Sequence, residues 1–386
     1  MIPYSRQDVD QSDIDAVIAV LRSDFLTQGP VVPKFEAAVG RFCNVSHAIA
    51  MNSATSALHL ACLALGVGKG DRVWTSPITF VASANCALYC GASIDFVDID
   101  QHTYNMSTEY LEDKLKISAK NNTLPKVVIP VHFSGQPCDM KKIHELSVQY
   151  GFKILEDASH AIGANYFGEP VGNCKFSDIT VFSFHPVKII TTGEGGMAVT
   201  NNAELANKME LLRSHGITRD PAKMTQAPDG PWYYQQIDLG FNYRMTDIQA
   251  ALGYSQLKRL NYYILKRIYL AKWFDDALKE FPIVIPFRAK ERTSSHHLYV
   301  IKLQLDKIRK SRLQVFKELR ASGIGVNVHY IPIHLQPFFK SISSIPQNFI
   351  EAERYYSTAI SLPLYPTMHY EDQQNIVTCL RSVLLG

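Results

Sequence analysis

Apolar positions along the chain change their period near residue 47, and the change separates two kinds of local structure. Before it they recur at helical spacing. Ile14, Val17, Ile18 and Leu21 follow Ser12-Asp13-Ile14-Asp15, which has the form of a capping box, and predict a helix over about 13–23. Asp24–Pro30 ends it, and Pro33 opens a second amphipathic helix through Phe42. The segment ahead of Tyr4 reads as an extended arm. From residue 47 short apolar runs at 48–51, 73–75, 94–99, 127–133, 153–157, 179–184 and 197–200 alternate with helical stretches. These helices start from Thr55, Phe80, near 108 and from Asp139. Strands alternating with helices predict an α/β fold, a mostly parallel sheet with helices on both faces.

The pattern changes again toward the C-terminus. Residues 219–232, rich in proline, glycine and polar groups, read as a surface loop, and a long helical pattern follows Gly240–Asp247 through Leu260 toward Phe281. Strands at Leu298–Leu303 and Val326–His329 and a helix over 311–322 predict a small α+β unit. The expected organisation is an arm (1–12), a large domain (13–261) and a small C-terminal domain (262–386).

Composition narrows the partners. The 386 residues are 46% hydrophobic and carry a net charge of +3, with no basic tract or acidic tail, so neither nucleic acid nor a membrane surface is expected. No basic segment followed by an apolar run opens the chain, which points to a cytoplasmic protein acting on small molecules. Seven scattered cysteines, an odd number, suit free thiols in a reducing compartment, and no ligand spacing calls for a metal. Gly66–Gly70 lies between a helix and a strand, as a turn would. No GxGxxG follows the first strand and no GxxxxGK[ST] occurs, which argues against nicotinamide and ATP sites.

The candidate chemistry gathers around Ser183–Gly196. Lys188 sits among Phe182, Phe184, Val187, Ile189 and Ile190. An ammonium there either snorkels to water or is desolvated, and desolvation leaves a neutral amine able to add to an aldehyde. Asp157 and Ser183 fall at the C-terminal ends of predicted strands, where open α/β sheets bind ligands. Asp157 is either a helix cap or an acid for a pyridine nitrogen. Asn52–Thr55, between a strand and a helix start, offers N–H groups and hydroxyls to a phosphate. Phe80 is either core or a plate for an aromatic ring. Amine, acid, phosphate cradle and plate together describe a pyridoxal 5'-phosphate site.

Residues 52–60 (NSATSALHL), 156–164 (EDASHAIGA), 183–196 (SFHPVKIITTGEGG) and 240–253 (GFNYRMTDIQAALG) carry a specific likeness over nearly the whole chain. The sequence resembles the DegT/DnrJ/EryC1/StrS sugar aminotransferases, of the fold-type-I pyridoxal phosphate enzymes. Residues 25–30, 52–58, 76–92 and 328–337 are most similar to its pseudaminic acid branch. The resemblance implies that Lys188 is the catalytic lysine and Asp157 the pyridinium partner. It places Ser183, Ala54 and Thr55 on the phosphate and His160 beside the ring, with Asn242 reaching the phosphate of a second subunit in a homodimer. It places Tyr4, Asp24, Phe25, Leu26, Thr27, His329, Tyr330, Ile331 and Pro332 around a nucleotide sugar. The implied reaction moves the amino group of L-glutamate to a UDP-linked 4-keto sugar. Related dehydratases have histidine at the lysine position, and a silent sugar-binding relative would be expected to lack Lys188 or Asp157.

Overall fold

Caps and prolines decide where the predicted elements begin and stop. The computed structural model describes residues 1–342, 345–346 and 348–386. Helix α1 (Gln11–Leu21) starts two residues before the expected position 13, because Asp10 is its cap and Asp13 its third residue. Asp13 is fully buried, where Gln256 Nε2 donates to it at 2.6 Å and Arg259 pairs with it. That anchoring fixes the helix start. Helix α2 (Val31–Cys43) is capped from a distance: the Asp247 carboxylate accepts the N–H groups of Gly29 and Val31, both at 2.7 Å.

Seven strands form the main sheet: β1 (His47–Met51), β2 (Arg72–Thr75), β3 (Ser93–Phe96), β4 (Val127–Ile129), β5 (Lys153–Asp157), β6 (Ile179–Ser183) and β7 (Gly196–Thr200). Their order is β1-β7-β6-β5-β4-β2-β3. Only β7 runs against the others, pairing antiparallel with both β1 and β6, so the sheet is mostly parallel as the alternation predicts. Strand β4 is shorter than its apolar run because Pro130 has no N–H to give a ladder. Helices α3 (Ala54–Ala64), α4 (Ala82–Tyr89), α5 (Thr108–Lys120), α6 (Met140–Tyr150) and α7 (Ala203–Arg213) complete the alternation.

The long C-terminal helical pattern is two helices, α8 (Asp247–Leu257) and α9 (Leu260–Leu278), rather than one. At the break the N–H groups of Lys258 and Arg259 turn to carbonyls three residues back, and the Arg259 guanidinium pairs with Asp10 at 2.7 Å. Helix α9 begins in the apolar cluster of Phe35, Ala161 and Phe182 and ends in that of Tyr299, Ile301 and Leu380. The second cluster backs a three-stranded antiparallel sheet of β8 (Ile283–Val284), β9 (Tyr299–Leu303) and β10 (Ala359–Leu362).

The strand expected at Val326–His329 is not formed. Asn327 makes one bridge to Ser361, and its own side chain takes the Val328 N–H at 2.8 Å, which withdraws that donor from any ladder. The N-terminal arm lies beside this segment: Ile2 bridges Ile324 in parallel, and the Leu364 N–H donates to the Tyr4 carbonyl at 3.2 Å. Among the described residues no helix is long and apolar enough to cross a membrane.

Candidate active site

The strand ends bring Met51, Gly196 and Ser183 into one row across β1, β7 and β6, and Asp157 lies on the next strand. A cavity of about 430 Å³ opens above them, lined by ten of the residues singled out from sequence: Tyr4, Ala54, Thr55, Phe80, Asp157, His160, Ser183, Lys188, His329 and Tyr330.

One end of the cavity is the start of α3. Ser53 caps it, accepting the Ser56 N–H at 3.1 Å, and the first-turn N–H groups of Ala54 and Thr55 have no intrahelical carbonyl to reach. Ser183 adds a hydroxyl. The backbone of β7 lies close against this turn, since a side chain at Gly196 would stand 2.4 Å from the Ala54 nitrogen. A helix start with free N–H groups and hydroxyls around it is an anion cradle.

Asp157 is buried, and its carboxylate is held from two sides. Ser83 Oγ donates to Oδ2 at 2.5 Å, the Ser159 N–H donates to Oδ1 at 3.0 Å, and Thr79 Oγ1 lies 2.7 Å from Ser83 Oγ. Lys188 stands on the loop after β6. Buried Ile189 and Ile190 anchor that loop, and the Phe184 carbonyl accepts from Thr191 Oγ1 and the Thr192 N–H, both at 3.0 Å. The lysine itself is half-buried, and desolvation pulls its pKa down to about 8 although the Asp157 carboxylate opposes the shift. These groups fit pyridoxal phosphate: a cradle for its phosphate, an amine for its aldehyde and an acid for its ring nitrogen.

The opposite wall is aromatic. The Ser134 N–H donates to His160 Nδ1 at 3.3 Å, so Nε2 carries the proton and meets the Tyr330 hydroxyl at 3.1 Å. Burial, with Lys188 and His329 nearby, holds the pKa of His160 well below the usual range, and it holds His329 at about 4 beside Lys188. Phe80 is 58% exposed, with its ring centroid 6.3 Å from that of Tyr330.

Other sequence candidates lie elsewhere in this chain. Asp24, Phe25, Leu26 and Thr27 are exposed and do not line the cavity. Neither does Asn242, whose backbone carbonyl accepts from Asn52 Nδ2 at 3.4 Å while the residue stays exposed. Ile331 faces outward and Pro332 is buried away from the cavity, because the chain turns once the Ile333 N–H bonds the Pro77 carbonyl. Conversely, the cavity includes Ser159 and His297, and behind Asp157 stands Ser83; none of these was marked in the sequence. Ser159 had a signal, lying two residues after Asp157 at a strand end. Ser83 and His297 had none that pointed to this cavity: Ser83 is one serine of the 76–92 stretch, and His297 one of two adjacent histidines without ligand spacing.

The profile of the DegT/DnrJ/EryC1/StrS aminotransferase family matches residues 7–381. UDP-4-amino-4,6-dideoxy-N-acetyl-beta-L-altrosamine transaminase of Campylobacter jejuni is 39% identical over 385 residues, covering 100% of this chain and 98% of that protein. Spore coat polysaccharide biosynthesis protein SpsC of Bacillus subtilis is 37% identical over 388 residues, covering 100% and 97%. Among solved structures, Helicobacter pylori PseC, an aminotransferase involved in the biosynthesis of pseudoaminic acid, superposes with a TM-score of 0.91 at 32% identity and covers 100% of this chain and 99% of its own.

Proposed function

Because the chain belongs to the DegT/DnrJ/EryC1/StrS aminotransferase family, we propose that it transfers the amino group of L-glutamate to C4 of UDP-2-acetamido-2,6-dideoxy-β-L-arabino-hexos-4-ulose. The product is UDP-4-amino-4,6-dideoxy-N-acetyl-β-L-altrosamine, on the route to pseudaminic acid. The class is plain: the protein is a pyridoxal phosphate-dependent sugar aminotransferase. The finer assignment is carried by the 39% identity, end to end, to a transaminase of that name.

Pyridoxal phosphate supplies the electron-withdrawing ring that lets a proton leave the carbon bearing the amine. In this reading Ala54, Thr55 and Ser183 bind its phosphate, and Asp157 keeps its ring nitrogen protonated. Lys188 Nζ is the amine that would hold the cofactor's aldehyde carbon. Nζ then takes the proton from the donor's α-carbon, and with the keto sugar it delivers one to C4. Phe80 and His160 confine the ring, while Tyr4, His329 and Tyr330 face the sugar. Residues 13–261 and 262–386 are then the cofactor-binding and capping domains of a cytoplasmic enzyme, with the cavity at their junction.

The test is purified protein given L-glutamate and candidate nucleotide-linked keto sugars. Formation of the 4-amino UDP sugar together with 2-oxoglutarate is expected, and Lys188→Ala is expected to abolish it. A Lys188→Ala protein turning over at the wild-type rate overturns the assignment of the lysine. The near-equal identity to SpsC supports a second reading, another nucleotide-linked keto sugar. Activity on a dTDP-linked sugar with none on UDP sugars would establish it.

A further inference from the structure

The cavity's cationisable side chains, among the described residues, are Lys188, His160, His185, His297 and His329, with no arginine. An amino-acid donor brings at least one carboxylate into this space. Lys188 is committed to the chemistry, His185 is exposed, and both nitrogens of His160 are taken by Ser134 and Tyr330. His329 has Nδ1 fixed 2.8 Å from Ser361 Oγ, which leaves its Nε2 edge free.

His297 is the unexplained member. It is 2% exposed, its ring centroid lies 4.3 Å from that of His160, and its buried Nδ1 has no hydrogen-bond partner. Its backbone, by contrast, is tied at both ends. The N–H donates to the Ser134 carbonyl at 3.0 Å, and the carbonyl accepts from Arg267 Nη1 at 3.3 Å. A buried imidazole nitrogen with no partner calls for one, and a water, an ion or a ligand group can supply it. The surroundings favour an anion. Lys188 and the fully buried Arg267 guanidinium, which bonds only carbonyls, are the cations that act electrostatically on His297.

We propose that His297, with the free Nε2 edge of His329, holds a carboxylate of the amino donor and so restricts the donor to an amino acid. The inference rests on the aminotransferase reading but not on which sugar is aminated.

The probe is glutarate, a dicarboxylate with no amine to react, titrated into holoenzyme by calorimetry. Wild type is expected to bind it. His297→Phe is expected to weaken binding at least about tenfold, and His297→Gln, which keeps a hydrogen-bonding group, to stay within about threefold. UDP affinity is expected to be equal in all three. In turnover, His297→Phe is expected to raise KM for glutamate with kcat and the KM for the keto sugar little changed. Should His297→Phe fail to fold, ¹⁵N-imidazole spectra of the unmutated holoenzyme serve instead: glutarate is expected to shift the His297 signals. Equal glutarate affinity in wild type and His297→Phe, a parallel loss of UDP binding, or unmoved His297 signals overturns the proposal. His297-dependent glutarate binding in an enzyme that aminates a different nucleotide sugar supports it and overturns only the sugar assignment.

Discussion

Adjacent carboxylates on β5 have opposite fates, set by the two-residue period of a strand. Glu156 points to one face, where His132 Nε2 lies 2.6 Å away. Because His132 Nδ1 accepts the Cys138 N–H at 3.1 Å, that pair is a neutral imidazole donating to a carboxylate. Asp157 points to the other face and into the cavity. Its two bonds, from Ser83 and Ser159, fix the carboxylate plane before any ligand arrives. A hydrogen bond to a charged group contributes about 1.5–3 kcal/mol. Ser83→Ala is therefore expected to weaken the apo-protein's affinity for pyridoxal phosphate by roughly ten- to a hundredfold. Fluorescence titration measures it, and an unchanged Kd would show that Asp157 needs no such support. Lys188 gives a prediction in pH. Its amine is depressed from the ordinary lysine value of 10.5 to about 8, so the neutral, addition-competent form accumulates as pH rises through 8. The rate at which visible absorbance develops on mixing apo-protein with pyridoxal phosphate is expected to rise and level off across that point. A midpoint near 10.5 would mean that the lysine is solvated.

At the level of elements, the site depends on how closely β7 runs past the start of α3. Gly196 is needed there because an added Cβ would come within 2.5 Å of three backbone atoms of Ser53 and Ala54, which cannot give as a side-chain end would. Gly196→Ala is expected to displace the cradle, with a large loss of cofactor affinity and a lowered melting temperature. Equal affinity would show that the phosphate does not rest on that turn. Asp247 has a comparable role in stability alone, capping α2 and tying it to α8. Asp247→Ala leaves the Gly29 and Val31 N–H groups without their acceptor and is expected to cost about 2–4 kcal/mol by chemical denaturation. These two cases also mark what a sequence can and cannot carry. The alternation of apolar runs was enough for the sheet, and the strand-end positions of Asp157 and Ser183 followed from it. The α1 cap and the break at Lys258–Arg259 depend on long-range partners, and the lost strand at 326–329 on one side chain's choice of a neighbouring N–H. Asp13 meets Arg259 only in the fold, and hydrophobic periodicity does not say that Asn327 takes the Val328 N–H. His297 was invisible for the same reason: only its place in the fold puts it in the cavity.

Across the whole molecule, the cavity is assembled from distant parts: Tyr4 from the arm, Lys188 from the loop after β6, and His297 and His329 from the C-terminal half. Two segments that family resemblance assigns to the same pocket are not there. Residues 24–27 and 240–246 lie side by side, joined by the Thr27–Thr246 bridge and by the Asp247 N–H donating to the Leu26 carbonyl at 3.0 Å. Together they form an outward-facing edge on which Phe25 and Leu26 are about half exposed, at 53% and 48%. Both absences have one explanation if that edge completes the cavity of a second copy, as the homodimer that the family resemblance implies requires. Complementation distinguishes this arrangement from two self-contained sites. A heterodimer of Lys188→Ala and Asn242→Ala chains holds one site with both defects and one with neither, since the intact lysine and the intact asparagine come from opposite chains. Random mixing makes about half of the dimers mixed, so about a quarter of wild-type activity is expected after the two inactive or weakened proteins are dissociated and reassembled together. The mixture's activity staying at the average of its separate components would place Asn242 outside the partner's site. In that case residues 24–27 lose their route to the sugar as well, because the same bridge holds both segments.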